Sequence, residues 1–308
     1  MTDPGGPRRD GALLVVGDVV TDVVARHRTP LASATDTAAV IRTLPGGAGA
    51  NAACWAARSG HRDVRLLGRV GEESADWHER ALVAAGVRPL LVPDPEAPTA
   101  TVIALVDAAA ERTFLTDGGA VLRLSPADWS AGLLDGVAAL HLSGYLFFAP
   151  ASRAAALLAL REARAAGIPV SVDPASAGFL AELGPERFLE AVGGASLLLP
   201  NADEARLLTG APDPETAARE LSRRVPLAVV TLGAAGALVA EGGTVTARAA
   251  APAVAPERRV DSTGAGDAFT GAFLAARLAG ADPAEAARAG CAAGAEAVTV
   301  VGGRPPSV

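Results

Sequence analysis

Lysine is missing altogether: all 27 basic residues among the 308 are arginine. That excludes a Walker-A phosphate loop, whose lysine reaches the phosphates, and any Schiff-base or pyridoxal-phosphate chemistry. Cysteine is scarce, with Cys54 and Cys291 alone. Two are too few for a disulfide scaffold or a CxxC site, and both sit in alanine-rich helical stretches as small core residues of a reduced chain. No long apolar run occurs either. The longest uncharged stretch, residues 136–152, contains Pro150 and His141 and falls short of the roughly 20 apolar residues of a spanning helix. The apolar run 12–16 meets Asp18 too soon for a signal peptide. Basic clusters are absent as well, and 27 basic against 34 acidic residues leave a net charge of −7, which argues against a nucleic-acid partner. The expectation is a cytoplasmic protein with no membrane and no nucleic acid among its partners.

What is present is a sizeable core, since 50% of the residues are apolar. Residues 1–10 read as a disordered leader. Residues 12–16 predict a buried strand, 64–67 a second, and helices are predicted from Asn51 to a Gly60 stop and over 74–85. The rhythm then breaks. Residues 99–106 and 112–116 look like an antiparallel hairpin. After it come strand 138–142, helix 151–166, strands 169–172 and 196–199, helix 202–208 and strand 227–231. Strands alternating with helices argue an α/β fold with a mostly parallel sheet covered on both faces. The strand-like pieces at 19–44 and 99–116 do not fit that sheet, and pair instead as a small separate sheet, a lid.

The strongest chemical signal is Val260-Asp261-Ser262-Thr263-Gly264-Ala265-Gly266-Asp267, which runs into a small-residue helix ending near Ala279. Gly264 and Gly266 permit close backbone approach. The N–H groups at a helix start form an anion site. Asp267 falls in the first turn, where a lone carboxylate is stabilised as the ionised form. Such a site suits phosphoryl transfer, with N–H groups on the phosphate and Asp267 taking a hydroxyl proton. An ordinary helix-start charge after a glycine turn would look the same.

A second signal is Pro45-Gly46-Gly47-Ala48-Gly49-Ala50-Asn51-Ala52. It contains a G-x-G-x-x-A match, but some thirty residues separate it from the first strand, and the acidic residue expected ~20 positions on would fall near Glu72 in a loop. A glycine loop closing over a polyhydroxylated ligand, with Asn51 as donor and acceptor, is the better reading. Asp18 and Asp22 follow the first strand, where open α/β sheets bind ligands. Asn201 suits a helix cap, with Glu204 three residues on. Thr231, Gly233 and Gly236 form a glycine turn.

Together these motifs resemble the ribokinase-like carbohydrate kinases, the PfkB family, in the family's order from about Ala12 to Pro306. The resemblance implies a three-layer α/β/α fold with a β-sheet lid that often forms a dimer interface. It implies Asp267 as catalytic base, with Gly264, Ala265 and Gly266 as anion hole. Asn201 and Glu204 correspond to the motif that organises Mg2+, through water, and the nucleotide phosphates. Thr231, Gly233 and Gly236 correspond to the turn lining ATP. Asp22, Gly46, Gly47 and Asn51 correspond to sugar contacts. Asp261 lies where some relatives bind a monovalent cation such as K+, closed by residues 297–303. Ala48 stands where ribokinases proper carry lysine, which weakens ribose as the substrate. The chain stops soon after Arg304 and Pro305, so a C-terminal helix of many relatives is expected to be absent or shortened.

The implied activity is ATP-dependent phosphorylation of a hydroxyl on a small sugar, sugar acid or sugar phosphate. Arg112, at the start of the second hairpin run, is a candidate grip for an anionic group of the substrate, though an exposed hairpin arginine would look alike. A nucleoside kinase of the same fold is the alternative. The 4% aromatic content, with Phe114 as the lone lid candidate for stacking on a base, tilts the choice towards sugars. A non-catalytic ligand sensor and a nicotinamide dehydrogenase are further rivals; the Asp267 and Glu204 carboxylates speak against the sensor.

Overall fold

The structure, a computed structural model, describes residues 11–108 and 112–306. The expected leader, residues 1–10, and the Arg112 side chain lie outside the described residues. Strand β1 (Ala12–Val16) is wholly buried. Its Leu13 and Val15 enter one apolar core and its Leu14 and Val16 another on the opposite face, as the two-residue period of a doubly covered strand requires. The chain leaves for β2 (Val20–His27) and β3 (Ala39–Gly46), then returns through α1 (Ala48–Arg58), β4 (Val64–Gly71), α2 (Ala75–Ala84) and β5 (Val87–Asp94). The hairpin β6 (Ala100–Val106) and β7 (Arg112–Asp117) follows. Next come β8 (Val137–Ser143), α3 (Pro150–Ala165), β9 (Val170–Asp173), α4 (Ala177–Leu183), α5 (Pro185–Ala191) and β10 (Leu197–Leu198). The chain continues with α6 (Ala202–Thr209), α7 (Pro214–Arg224), β11 (Leu227–Thr231), β12 (Ala237–Glu241) and β13 (Thr244–Ala249). It ends with α8 (Ala265–Leu278), α9 (Pro283–Ala297) and a segment of turns.

Among the described residues the strands form two sheets. The larger runs β13-β12-β11-β10-β9-β8-β1-β4-β5. Its pairs are parallel from β11 to β5, with β12 and β13 added antiparallel. Leu180, Phe188, Leu208 and Leu221 of α4, α5, α6 and α7 pack on one face with α3, while Leu82, Phe269, Phe273 and Cys291 of α2, α8 and α9 pack on the other with α1. This is the three-layer α/β/α arrangement. The smaller sheet, β3-β2-β6-β7, joins β2 parallel to β6 although α1, β4, α2 and β5 intervene in the chain. It is the separate lid sheet.

The elements differ from the expected ones in places. Residues 87–94 form an edge strand that the sequence hides, because Pro89 and Pro93 interrupt it; prolines are tolerated at an edge. Helix α1 starts three residues earlier than Asn51. Its first N–H groups are held by a residue distant in sequence, so no local cap announces the start. Helices α4, α5 and α7 form where the sequence predicts none.

Candidate active site

The carboxyl ends of β1, β8, β9, β10 and β11 open onto one cavity of about 710 Å3, roofed by the small sheet. β1 lies at the switch point where the chain's strands proceed in both directions, the usual place for a ligand in an open α/β sheet. Residues spaced by two along the lid strands, Val20 and Asp22, Ala100 and Val102, Phe114 and Thr116, face the cavity. The lid's exit is fixed to the body by Arg69 of β4 and Arg123, which both donate to the buried Asp94 at 2.8 and 2.7 Å.

The glycine loop is set by Asp18. Its carboxylate accepts the Ala48 N–H at 2.6 Å, the Gly49 N–H at 3.0 Å and the Ser143 hydroxyl at 2.7 Å. A distant carboxylate thus satisfies the first N–H groups of α1, which a helix leaves unpaired. Gly47, at φ 97°, precedes the helix in a conformation that L side chains rarely adopt, and a Cβ there would meet Asp18 O at 2.5 Å. Gly46 carries no side chain because the Asp22 carboxyl fills that space. This loop follows a lid strand rather than a strand of the main sheet, so the dinucleotide-fold reading of its glycines loses its structural context.

Asp22 and Asn51 both line the cavity. Burial, then the Asp18 charge, push the Asp22 carboxyl up to about 7, against the pull of Arg304. Asn51, in the first turn of α1, donates through Nδ2 to Asp267 Oδ2 at 2.8 Å, while its buried Oδ1 has no partner. Asp267 is the third residue of α8, whose cap Gly264 sits at φ 74° with Gly303 packed where a Cβ would be. Gly264 and Gly266 line the cavity with it. The expectation of a carboxylate held ionised by the helix end is corrected here. Burial pushes Asp267 well above its ordinary value, the Asn51 amide opposes this, and the charges of Asp173, Asp18 and Asp22 add to the rise. A helix end is worth only ~0.3–1 kcal/mol at exposed sites, too little to outweigh burial among like charges.

At the other end, Asn201 caps α6, accepting the Asp203 and Glu204 N–H groups at 2.9 Å each, and Glu204 returns its carboxylate to the Asn201 N–H at 2.9 Å. Both line the cavity, as does Thr231 at the end of β11. Glu204 is buried, and its carboxyl is raised by burial and then by Asp173. Asp173, at the end of β9, was missed from the sequence. It accepts the Thr270 hydroxyl at 3.1 Å and the Ala175 N–H at 3.0 Å, with Ala175 held at φ 75°. A lone acid before a proline carries no motif; only its strand-end position pointed to it.

Gly46, Gly233, Gly236, Ala265 and Asp261 stand outside the cavity wall. Gly233 and Gly236 make the turn between β11 and β12. Asp261 accepts the Thr263 and Gly302 N–H groups at 2.9 and 3.0 Å, tying the α8 start to the last segment of the chain. Arg112's role falls on a side chain outside the described residues. The aromatic reasoning also needs revising. Tyr145, Phe148 and Phe179 line the cavity from the body, with Phe148 and Phe179 stacked at 5.2 Å between ring centres. A low aromatic content says nothing of where the few rings gather. Among the described residues no group of three or more acids, histidines or cysteines is disposed to hold a metal by itself, and no helix is long and apolar enough to cross a membrane.

The chain is similar to known proteins over nearly its whole length. Residues 11–308 match the pattern of the pfkB family carbohydrate kinases. It is 31% identical to a fructokinase of Klebsiella pneumoniae over 280 residues, covering 86% of this chain and 84% of that one. It is 30% identical to a ribokinase of Mus musculus, covering 88% and 84%. The solved adenosine kinase of Sinorhizobium meliloti superposes with a TM-score of 0.87 at 25% identity, covering 96% of each chain. With its three layers, its lid and its glycine loop facing a helix-start aspartate, the chain belongs to the pfkB family of carbohydrate kinases.

Proposed function

We propose that the protein transfers the γ-phosphoryl group of ATP to a hydroxyl of a small neutral polyol, with Asp267 as general base. The observation that carries this reading is the company Asp267 keeps: an acid at the start of α8, beside helix-start N–H groups, opening on the same cavity as Asp22 and Asn51. The acceptor rests on Gly47, with hydroxyls on Asp22 and Asn51, all three of which line the cavity. Asp267 takes the proton of the attacking hydroxyl, whose oxygen bonds to the γ-phosphorus. The bond from that phosphorus to the β–γ bridging oxygen breaks, and ADP leaves. The N–H groups of Gly264 and Gly266, which line the cavity, hold the charge of the group in transit.

Mg2+ fits the far end. Glu204 and Asp173 are held above their ordinary range by burial with no basic side chain facing them from the described wall, so a cation shared with phosphates would relieve both. When bound, it neutralises phosphate charge. A neutral acceptor is supported by the same wall, which among the described residues holds six acids (Asp18, Asp22, Asp117, Asp173, Glu204 and Asp267) and no arginine. A phosphate or carboxylate on the acceptor would be repelled. The exposed Val40 and Ile41 of β3 and Leu115 of β7 suit pairing of two copies through the lid.

A second acceptor class has an observation of its own. Tyr145, Phe148 and Phe179 would stack a nucleobase, which favours a nucleoside. A coupled ADP-release assay with D-fructose, D-ribose, adenosine and cytidine, set beside sugar phosphates and sugar acids, tests the whole reading. Turnover with a neutral acceptor is expected, and turnover with the anionic ones alone would refute it. Phe179→Ala should raise KM for a nucleoside and leave KM for a plain sugar unchanged.

A further inference from the structure

The last described segment of the chain is wedged behind the site. Trp55 Nε1 of α1 donates to Gly303 O at 2.9 Å, and the Gly302 N–H donates to Asp261 at 3.0 Å. Gly303 has no room for a side chain, because the Asn51 amide closes on it. Arg304 then turns its guanidinium under the glycine loop. Nη2 faces Gly46 O at 3.5 Å, while Nε and Nη1 are closed off from solvent with no hydrogen-bond partner. A guanidinium buried in this way is costly unless a nearby charge compensates. The acid whose charge it feels is Asp22, which touches it in no ion pair and opens on the cavity.

Asp22 faces the Asp18 charge from the end of β1 and that of Asp261 from the loop before α8, and it adds in turn to the rise of Asp267 in α8. Arg304 faces Cys54 of α1 and His78 of α2. Burial, then Arg304, lower His78 to about 4, so this histidine is neutral at physiological pH, with Nε2 on the Thr21 hydroxyl at 3.1 Å. Arg304 is therefore the one positive charge bearing on Asp22 among the described residues.

We propose that Arg304 is a positioning residue for the acceptor: its guanidinium is the counter-charge of the Asp22 carboxylate and, through Gly46 O, it steadies the glycine loop on which the acceptor rests. The proposal rests on the kinase reading for what Asp22 does, but the pairing of the two charges can be read without any turnover. The sign is fixed by the chemistry. A nearby cation favours the ionised carboxyl, so removing it makes Asp22 harder to ionise and moves its titration to higher pH.

The experiment follows the carboxyl carbon of Asp22 by NMR in protein labelled with carbon-13 aspartate, the signal being assigned by its loss in Asp22→Asn. In Arg304→Met the titration midpoint should rise by about one pH unit or more. In Arg304→Lys, which keeps the charge, it should return close to the wild-type midpoint. In ADP release with D-fructose or adenosine near neutral pH, Arg304→Met should raise the acceptor KM roughly tenfold, with kcat and the KM for ATP nearly unchanged. That KM defect should fade as the pH is raised. Arg304→Gln replaces Arg304→Met if the latter does not fold. An unshifted Asp22 midpoint in a folded neutral variant overturns the proposal, and so does a KM defect that Lys does not rescue. A shifted midpoint in protein that releases no ADP with either acceptor supports the charge pair and refutes the kinase reading instead.

Discussion

Removing the Asn51 amide is a direct test of Asp267 as a base. Asn51 Nδ2 donates to Asp267 Oδ2 at 2.8 Å, and this bond is what opposes the rise that burial imposes on the carboxyl. A hydrogen bond to a charged group is worth about 1.5–3 kcal/mol, or about one to two pH units. An N–H donor favours the ionised form, so its loss in Asn51→Ala raises the pKa of Asp267 further. A base acts when ionised, and kcat therefore climbs as the pH passes through this pKa. The climb should move up by about one to two units in Asn51→Ala. Below the climb, kcat falls by about 10- to 100-fold, and at higher pH it recovers. Asp267→Asn, with no base to ionise, should lose about 10²- to 10⁴-fold in kcat at every pH. The assay is ADP release across the pH range with ATP and acceptor both saturating, so that a lost acceptor contact of Asn51 does not enter. A pH profile for Asn51→Ala that superimposes on the wild type, or near-normal turnover by Asp267→Asn, would refute the reasoning.

Glu204→Gln should raise the Mg2+ concentration for half-maximal rate, by about tenfold, because a carboxylate that holds the ion's water becomes a neutral amide; a superimposable Mg2+ titration would leave Glu204 as a helix cap only. Asp18→Ala strands two backbone N–H groups and the Ser143 hydroxyl, at about 1–3 kcal/mol for each buried unsatisfied group. At about 2–4 °C per kcal/mol for a chain of this size, the melting temperature measured by circular dichroism should fall by roughly 10 °C or more, and an unchanged melt would show that another group holds the start of α1. Gly264→Val forces a β-branched side chain into φ 74° against Gly303 and should abolish turnover even where folded protein is recovered.

How much of this was legible in the sequence depended on how local each arrangement is. The α8 start is readable because glycines, helix-start N–H groups and Asp267 lie within one turn of chain, and the predicted β11 has its observed bounds because a buried strand is a short apolar run between breakers. The capping box of Asn201 and Glu204 is local in the same way. The lid could be inferred as the part that broke the alternation, but its parallel pairing of β2 with β6 depends on contacts that no short window contains. The start of α1 was misplaced because its cap is Asp18, thirty residues upstream.

The electrostatics of the site were the least legible, and for a physical reason. From sequence, Asp267 is a single acid at a helix start, which favours ionisation. In the fold it shares a cavity with Asp18, Asp22 and Asp173, acids from the ends of β1 and β9 and from the lid strand β2. Each alone is an ordinary loop or strand-end acid. Burial, and the charges of their neighbours after it, push the carboxyls of Asp22, Asp173 and Asp267 above their ordinary range. Hydrogen-bond donors set the acids apart: Asn51 is placed on Asp267 and Thr270 on Asp173, while Asp22 accepts no hydrogen bond among the described residues and feels a charge, Arg304, that enters from the far end of the chain. On the proposed kinase reading, an acceptor hydroxyl would be the donor that Asp22 lacks.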